Sequence, residues 1–242
     1  MRGSIMALFG RMTCLFSKCR GSAGYCGEMK KTKTFLIGLL LALAGSAAVA
    51  TPWATEWTIG PIIRGKNYSV NMPLQPEPTR SGWAFDFPYP SRSAGHVHYV
   101  SFDTGSLAGK SKIVVNYRVT ADRRTRFVPQ EQPHLAGTVS LVIQRRGDSW
   151  NAKGRYEHYR WYSPAEHVHE ITPGVRRMVI DLDNPGWTLV LGRRASENPR
   201  AFRDSLVQAG QVGLVFGSAS SRGHGVFATA PASFELLSFD IE

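Results

Sequence analysis

The chain of 242 residues has three cysteines, Cys14, Cys19 and Cys26, and none in the 192 residues that follow Ala50. A disulfide scaffold is therefore excluded for that stretch, and so is thiol catalysis. No stretch approaches the roughly 18 apolar residues of a membrane helix. Lysine is scarce: residues 51–242 hold four lysines against 18 arginines. Proline, glycine and apolar residues stand in ordinary globular proportion, which excludes collagen-like and disordered classes. A Gly-x-Ser-x-Gly elbow is missing, and with it the usual signature of a serine hydrolase.

What is present begins with an address. Met29-Lys-Lys-Thr-Lys33 is a positively charged start, Phe35 to Ala44 an apolar run, and Ala48-Val49-Ala50 a small-residue cleavage site. Together they predict a secretory signal peptide over 29–50, cleaved after Ala50, and export to the periplasm or medium. Residues 1–28 then read as an upstream-start extension. Ser46 stands where a lipoprotein would need cysteine, so no thioether anchor is expected. Over residues 51–242 the charge falls to 22 basic against 17 acidic groups, too mild a balance to demand a polyanionic partner.

Residues 51–95 carry Pro52, Pro61, Pro73, Pro76, Pro78, Pro88 and Pro90, a density that opposes helices. They predict an extended, aromatic-rich N-terminal arm packing on the main domain, with strand-like pieces at Trp57 to Pro61 and Trp83 to Phe87. From residue 96 onward turn signals recur regularly between nine candidate strands: 96–102, 112–120, 138–144, 156–162, 175–182, 187–191, 211–216, 226–228 and 233–241. Ile113, Val115, Tyr117 and Val119 share one face, as do Val139, Leu141 and Ile143, while Lys112, Asn116 and Arg118 face the other way. That alternation predicts an all-β antiparallel sandwich over 96–242, with wet outer faces. One short helix is expected near 199–209, with Asn198 as N-cap, Pro199 at its first position and Gly210 as terminator.

Trp187-Thr-Leu-Val-Leu-Gly192, Phe202 and Leu206 in the helix, Val212-Gly-Leu-Val-Phe-Gly217, Gly223-His-Gly-Val226 and Ala232-Ser-Phe-Glu-Leu-Leu-Ser-Phe239 together resemble the second half of galactose-binding-like jelly rolls. The form is similar to the carbohydrate-binding-module version in a branch of secreted bacterial proteins, over roughly 112–242. The resemblance implies a jelly roll, sugar or polysaccharide ligands, and in some members a structural calcium ion near the terminal strands. Asp240 is the nearest equivalent ligand for such an ion, and no full oxygen set matches. No other cofactor is implied.

Several motifs invite chemistry. Gly105-Ser-Leu-Ala-Gly-Lys-Ser111 lacks phosphate-loop spacing and the following helix, so it reads as a hairpin turn. His96 and His98 would place two imidazoles on one strand face, a workable metal pair that lacks its later carboxylate and histidine. His167, His169 and Glu170 form a competing cluster.

Tyr156-Glu-His-Tyr-Arg-Trp-Tyr162 is the richest stretch. As a strand, it puts Tyr156, His158, Arg160 and Tyr162 on one face, the parts a uronate lyase uses: a guanidinium for the carboxylate, and His or Tyr to move protons. The other face offers Tyr159 and Trp161 as flat surfaces for sugar stacking, unless it is core. Arginine pairs at 123–124, 145–146, 176–177 and 193–194 suit carboxylate or sulfate recognition or, more simply, a solvated surface. Nucleic acid is not expected in an exported chain without a recognition helix.

These readings combine into an exported, non-catalytic glycan-binding jelly roll. Anionic polysaccharide is one candidate ligand class, with Trp161, Tyr159, Trp150, Arg160 and His224 as ligand contacts. The rival is a polysaccharide lyase acting through His158, Tyr156, Tyr162 and Arg160. A structural, envelope-associated interaction protein is the third possibility, favoured if those aromatics are buried and no concave surface exists.

Overall fold

The computed structural model describes residues 51–242, so the leader and extension readings lie outside the described residues. Strands dominate, and among the described residues there is one α-helix, Pro199–Val207. The protein is an all-β antiparallel sandwich with one short helix. Its larger, seven-stranded sheet runs in the order Trp57–Gly60, Tyr99–Asp103, Ala209–Gly217, Thr138–Arg145, Arg160–Tyr162, Thr188–Leu189, with His169–Glu170 also paired to Thr138–Arg145. The five-stranded sheet is ordered Gly174–Asp181, Lys112–Ala121, Ala232–Ile241, Trp83–Asp86, Glu77–Pro78.

Period-two alternation sets which side chains meet between the sheets. Val100, Leu141, Ile143, Trp161, Leu214 and Phe216 come from the large sheet, and Ile113, Val115, Tyr117, Met178, Phe234 and Phe239 from the small one; all are buried in one core. Aromatic edges knit the layers: Trp57 to Trp83 at 4.8 Å, Phe102 to Phe239 at 5.4 Å, and Phe216 to Phe234 at 5.5 Å between ring centroids. Such T-shaped pairs add about 0.5–1.5 kcal/mol each beyond burial.

Residues 51–95 are more than an arm lying on a finished sandwich. Trp57–Gly60 is the edge strand of the large sheet, paired with Tyr99–Asp103, and Trp83–Asp86 pairs with Ala232–Ile241 in the small one. Trp57, Ile59, Trp83, Phe85 and Phe87 all enter the core. Proline density had signalled irregular backbone, but four-residue strands fit between the prolines.

Wet outer faces hold for the small sheet, where Arg118, Arg176, Arg177 and Asp181 are exposed. On the large sheet they do not. Thr138 to Gln144 is buried on both sides, and Tyr99, Val142, Tyr162 and Val215 form a second apolar cluster on the outer face, capped by Trp150. Loops fold over that face and turn it into the floor of a cleft.

Candidate functional site

The cleft has a volume of about 830 Å³. Its floor is the outer face of the large sheet, and its walls are the loops around residues 61–70, 130–131, 150–152, 188–192 and 219–224. Arg160 and Tyr162 reach it because the strand Arg160–Tyr162 alternates: these two point outward while Trp161, fully buried, points into the core. Trp161 donates its indole N–H to the His158 carbonyl at 2.9 Å and to Ser205 Oγ at 3.1 Å. It has no surface left for stacking, which corrects the sugar-platform expectation for that residue.

The strand is also shorter than its pattern suggests. Gly154–Tyr156 is a 3₁₀ turn, and the Glu157 and Tyr159 amides donate back to the Gly154 and Tyr156 carbonyls at 3.2 Å each. Two successive turns break the alternation, so Tyr156 and His158 do not share a face with Arg160 and Tyr162 and do not line the cleft. His158 lies 3.4 Å from Glu157 instead. Tyr156 carries the Arg155 guanidinium over its ring, and Tyr159, half-buried, carries that of Arg145 at 4.6 Å. Neither ring faces the cleft.

Trp150 does. Its backbone is left-handed at φ 66°, as is that of Ala152 at 49°. Asx turns hold this loop: the Trp150 amide donates to Asp148 Oδ1 at 3.0 Å and the Lys153 amide to Asn151 Oδ1 at 2.9 Å. The indole then stands at the cleft wall, edge-on to Tyr99 at 5.2 Å, with the Arg160 guanidinium 4.6 Å from its ring.

Two guanidinium groups line the cleft, and they differ. Arg160 is neutralised by Asp148, almost fully buried, at 2.7 Å, and donates to the Trp150 carbonyl at 2.8 Å. Arg222 is half-buried and donates to the Ser163 and Ala219 carbonyls. Among the described residues no carboxylate pairs with it. Burial pulls its pKa down, partly offset by Tyr162, and its hydrogen bonds to the two carbonyls do not replace the counter-ion that a buried cation ordinarily has.

Beside them, the Tyr99 and Tyr162 hydroxyls are 2.7 Å apart. Burial, reinforced by Tyr162, raises the Tyr99 pKa well above that of a free phenol and keeps it protonated. Gly223, left-handed at φ 78°, packs on that pair so tightly that a Cβ there would collide with the Tyr99 hydroxyl.

His98 Nδ1 is 2.7 Å from the Gly223 carbonyl. A carbonyl only accepts, so Nδ1 carries the proton and Nε2 is left as an acceptor. Burial pushes this imidazole's pKa down to about 4. His96 and His98 come together, with ring centroids 4.6 Å apart. Yet no group of three His, Cys, Asp or Glu placed to hold a metal ion occurs among the described residues. His169, from the second histidine cluster, lies 3.3 Å from the Tyr117 hydroxyl, away from the cleft. Asp240 sits half-buried on the last strand opposite Val114.

At the rim, His224 Nδ1 lies 2.6 Å from Glu131 Oε1, and Ser221 Oγ donates to the same carboxylate at 2.8 Å. Burial alone would raise the Glu131 pKa, but the Ser221 and His224 contacts bring it below its ordinary value. Lys66 stands 5.1 Å above the ring of Tyr68, whose exposed face adds an aromatic surface.

Of the residues singled out in the sequence, the cleft thus gathers Trp150, Arg160, Tyr162, His224, His96 and His98. Tyr99, Arg222, Glu131, Gln130, Tyr68 and Lys66 join them unannounced. The Gly223-His-Gly225 triplet was the available clue, since glycines flanking a histidine mark a tight loop. The arginine pairs, by contrast, point mostly to solvent.

No protein-family model and no curated protein matches the chain. Four chains among solved structures do; one is a mutant of xylanase 10C from Cellvibrio japonicus in complex with xylopentaose, 12% identical, covering 78% of this chain and 28% of that one, with a TM-score of 0.35. The chain spans less than a third of that protein, and a likeness of this degree carries no argument about ligand or mechanism.

Proposed function

We propose that the cleft binds a glycan bearing acidic sugar residues, and that the protein works as an exported glycan-binding sandwich. The observation that carries this reading is Arg222: a half-buried guanidinium in a concave site, held by carbonyls and without a carboxylate among the described residues. A sugar carboxylate or sulfate completes it with charge-assisted hydrogen bonds. Trp150 and Tyr68 supply flat apolar surface beside it, and Lys66 adds positive field against Glu131, the one lining carboxylate among the described residues.

Retention on a panel of soluble acidic and neutral polysaccharides by affinity electrophoresis tests the reading. Acidic polymers should retard the protein and neutral ones should not. Arg222→Met should weaken retention about 10- to 100-fold, from a charged hydrogen bond worth roughly 1.5–3 kcal/mol. A folded protein that migrates freely through every acidic polymer would overturn it.

A further inference from the structure

We infer that the glycan site continues past Trp150 into a second basin that takes a neutral, hydroxyl-rich sugar, so that the ligand is an acidic heteropolysaccharide held within its chain. The inference rests on the acidic-glycan reading and extends it to the kinds of sugar that the site takes side by side.

The large sheet joins the two basins. Tyr162 and Val142 belong to its outer face, and the row in which they stand continues through Gly213 and Ser101 to Thr58 on the edge strand. The neighbouring row, two residues along each strand, runs from Arg160 through Gln144 and Gln211 to Asp103. Strand alternation puts both rows on one face. Thr58, Ser101, Asp103, Gln144 and Gln211 line a second basin of about 650 Å³ on that face, and Pro61 and Trp150 line both this basin and the cleft. Gly213 keeps the first row low at its middle, because a Cβ there would collide with the Val100 carbonyl and the Ser101 backbone.

One stretch of chain therefore runs beneath the whole site, with His98 and Tyr99 under the cleft and Ser101, Asp103 and Thr104 under the second basin. From His98 to Thr104 is about 20 Å at the rise of an extended strand. That is the reach of a short run of polysaccharide, not of one sugar ring.

The second basin differs from the cleft in its chemistry. The hydroxyls of Thr58, Ser101 and Thr104 have no side-chain partner among the described residues. Gln144 donates its amide to Asp148 Oδ2 and Gln211 donates its own to Asp103 Oδ1, each at 2.9 Å. Both keep a carboxamide oxygen as acceptor. Asp103 is exposed, and no cation pairs with it among the described residues.

The cations nearby do little to change this. Arg160 is bound to Asp148, and Arg145 turns its guanidinium to Gln208 Oε1 and the Tyr159 ring, neither of which lines the basin. Arg146, reaching the Ala209 carbonyl at 3.5 Å, and Asp103 leave one exposed charge of each sign. A carboxylate set among hydroxyls and carboxamides accepts from sugar hydroxyls and repels a sugar carboxylate. The cleft has the opposite bias, with Arg222 and Lys66 against Glu131. A chain lying across Trp150 thus sets an acidic unit at Arg222 and a neutral unit at Asp103, with the indole as flat surface between them.

The test measures retardation of the protein by affinity electrophoresis in four polymers. Hyaluronate and unsulfated chondroitin alternate uronate with neutral N-acetyl sugars; alginate and polygalacturonate are uronate throughout. The alternating polymers should bind about 10-fold more tightly. Asp103→Ala should weaken binding to them about 10-fold and strengthen binding to alginate and polygalacturonate, an inversion that loss of folding does not produce. Ser101→Trp fills the basin and should weaken binding to the alternating polymers alone, with a melting curve to report that the fold survives. Equal or tighter binding to the all-uronate polymers overturns the second basin's role and leaves the acidic-glycan reading standing, and so does either variant if it melts and migrates like the parent. Free migration through all four polymers overturns this inference together with the reading it rests on.

Discussion

His98 shows how one residue's surroundings alter what its type alone suggests. As half of a His-x-His pair it reads as a metal ligand, but its proton is committed to the Gly223 carbonyl. The same burial has a consequence for stability. The folded ring's pKa is pushed down to about 4, against 6.5 for an exposed histidine. Between those values the unfolded chain binds a proton that the folded chain does not, so stability falls as pH drops from about 6.5 towards 4 and levels off below. The full loss is of the order of 3 kcal/mol. His96 and His169, also lowered by burial, act in the same direction. Urea denaturation across pH 4–7 should show this slope. His98→Asn keeps an N–H for the Gly223 carbonyl and should flatten it; an unchanged slope would mean that the ring is not buried as described.

At the scale of elements, the helix Pro199–Val207 was legible to within two residues, because Pro199 and the Phe202, Leu206 stripe signal both its start and its apolar face. Its attachment was not. Asn198 stands at the N-cap but makes no side-chain capping bond. Ser205, two-thirds along and fully buried, accepts from the Trp161 indole and lies 2.9 Å from the His158 carbonyl. It therefore latches the helix to the strand that carries Arg160 and Tyr162. Asn198→Ala should cost little, under about 0.5 kcal/mol rather than the usual cap value near 1. Ser205→Ala removes one of two partners from both the buried indole N–H and the His158 carbonyl, which stay bonded to each other, and should cost about 0.5–1.5 kcal/mol for the lost latch. Paired thermal melts compare the two, and equal losses would contradict this assignment. The Tyr156–Tyr162 stretch failed in the opposite way: seven residues of apparent alternation hold three residues of strand, since local turn hydrogen bonds satisfy the rest.

For the whole molecule, the boundary near residue 95 is the main revision. Nine strand candidates beyond it are enough on paper for a sandwich, but the core needs Trp57, Trp83, Phe85 and Phe87 from before it. Removing those side chains would open cavities and leave strands of both sheets without neighbours. A chain starting at His96 should therefore lack near-UV circular dichroism and a cooperative melt, while one starting at Thr51 should keep both. A cooperative melt from the shorter chain would restore the arm as a separable piece.

Strand-length alternation, turn punctuation, one short helix and no cysteine after residue 26 already admit little other than an antiparallel sandwich held by burial. Those are local signals, carried by neighbours two or four residues apart. Single members of the site, such as Trp150, Arg160 and His224, stand out in the sequence, but their meeting with Tyr99, Glu131 and Arg222 is a tertiary event. Tyr99 and Tyr162 meet across 63 positions, His224 and Glu131 across 93, and Arg222 and Ser163 across 59. Only the stacking of strands into a sheet brings such residues to one face, and only the loops folding over that face make a solvated surface into a cleft.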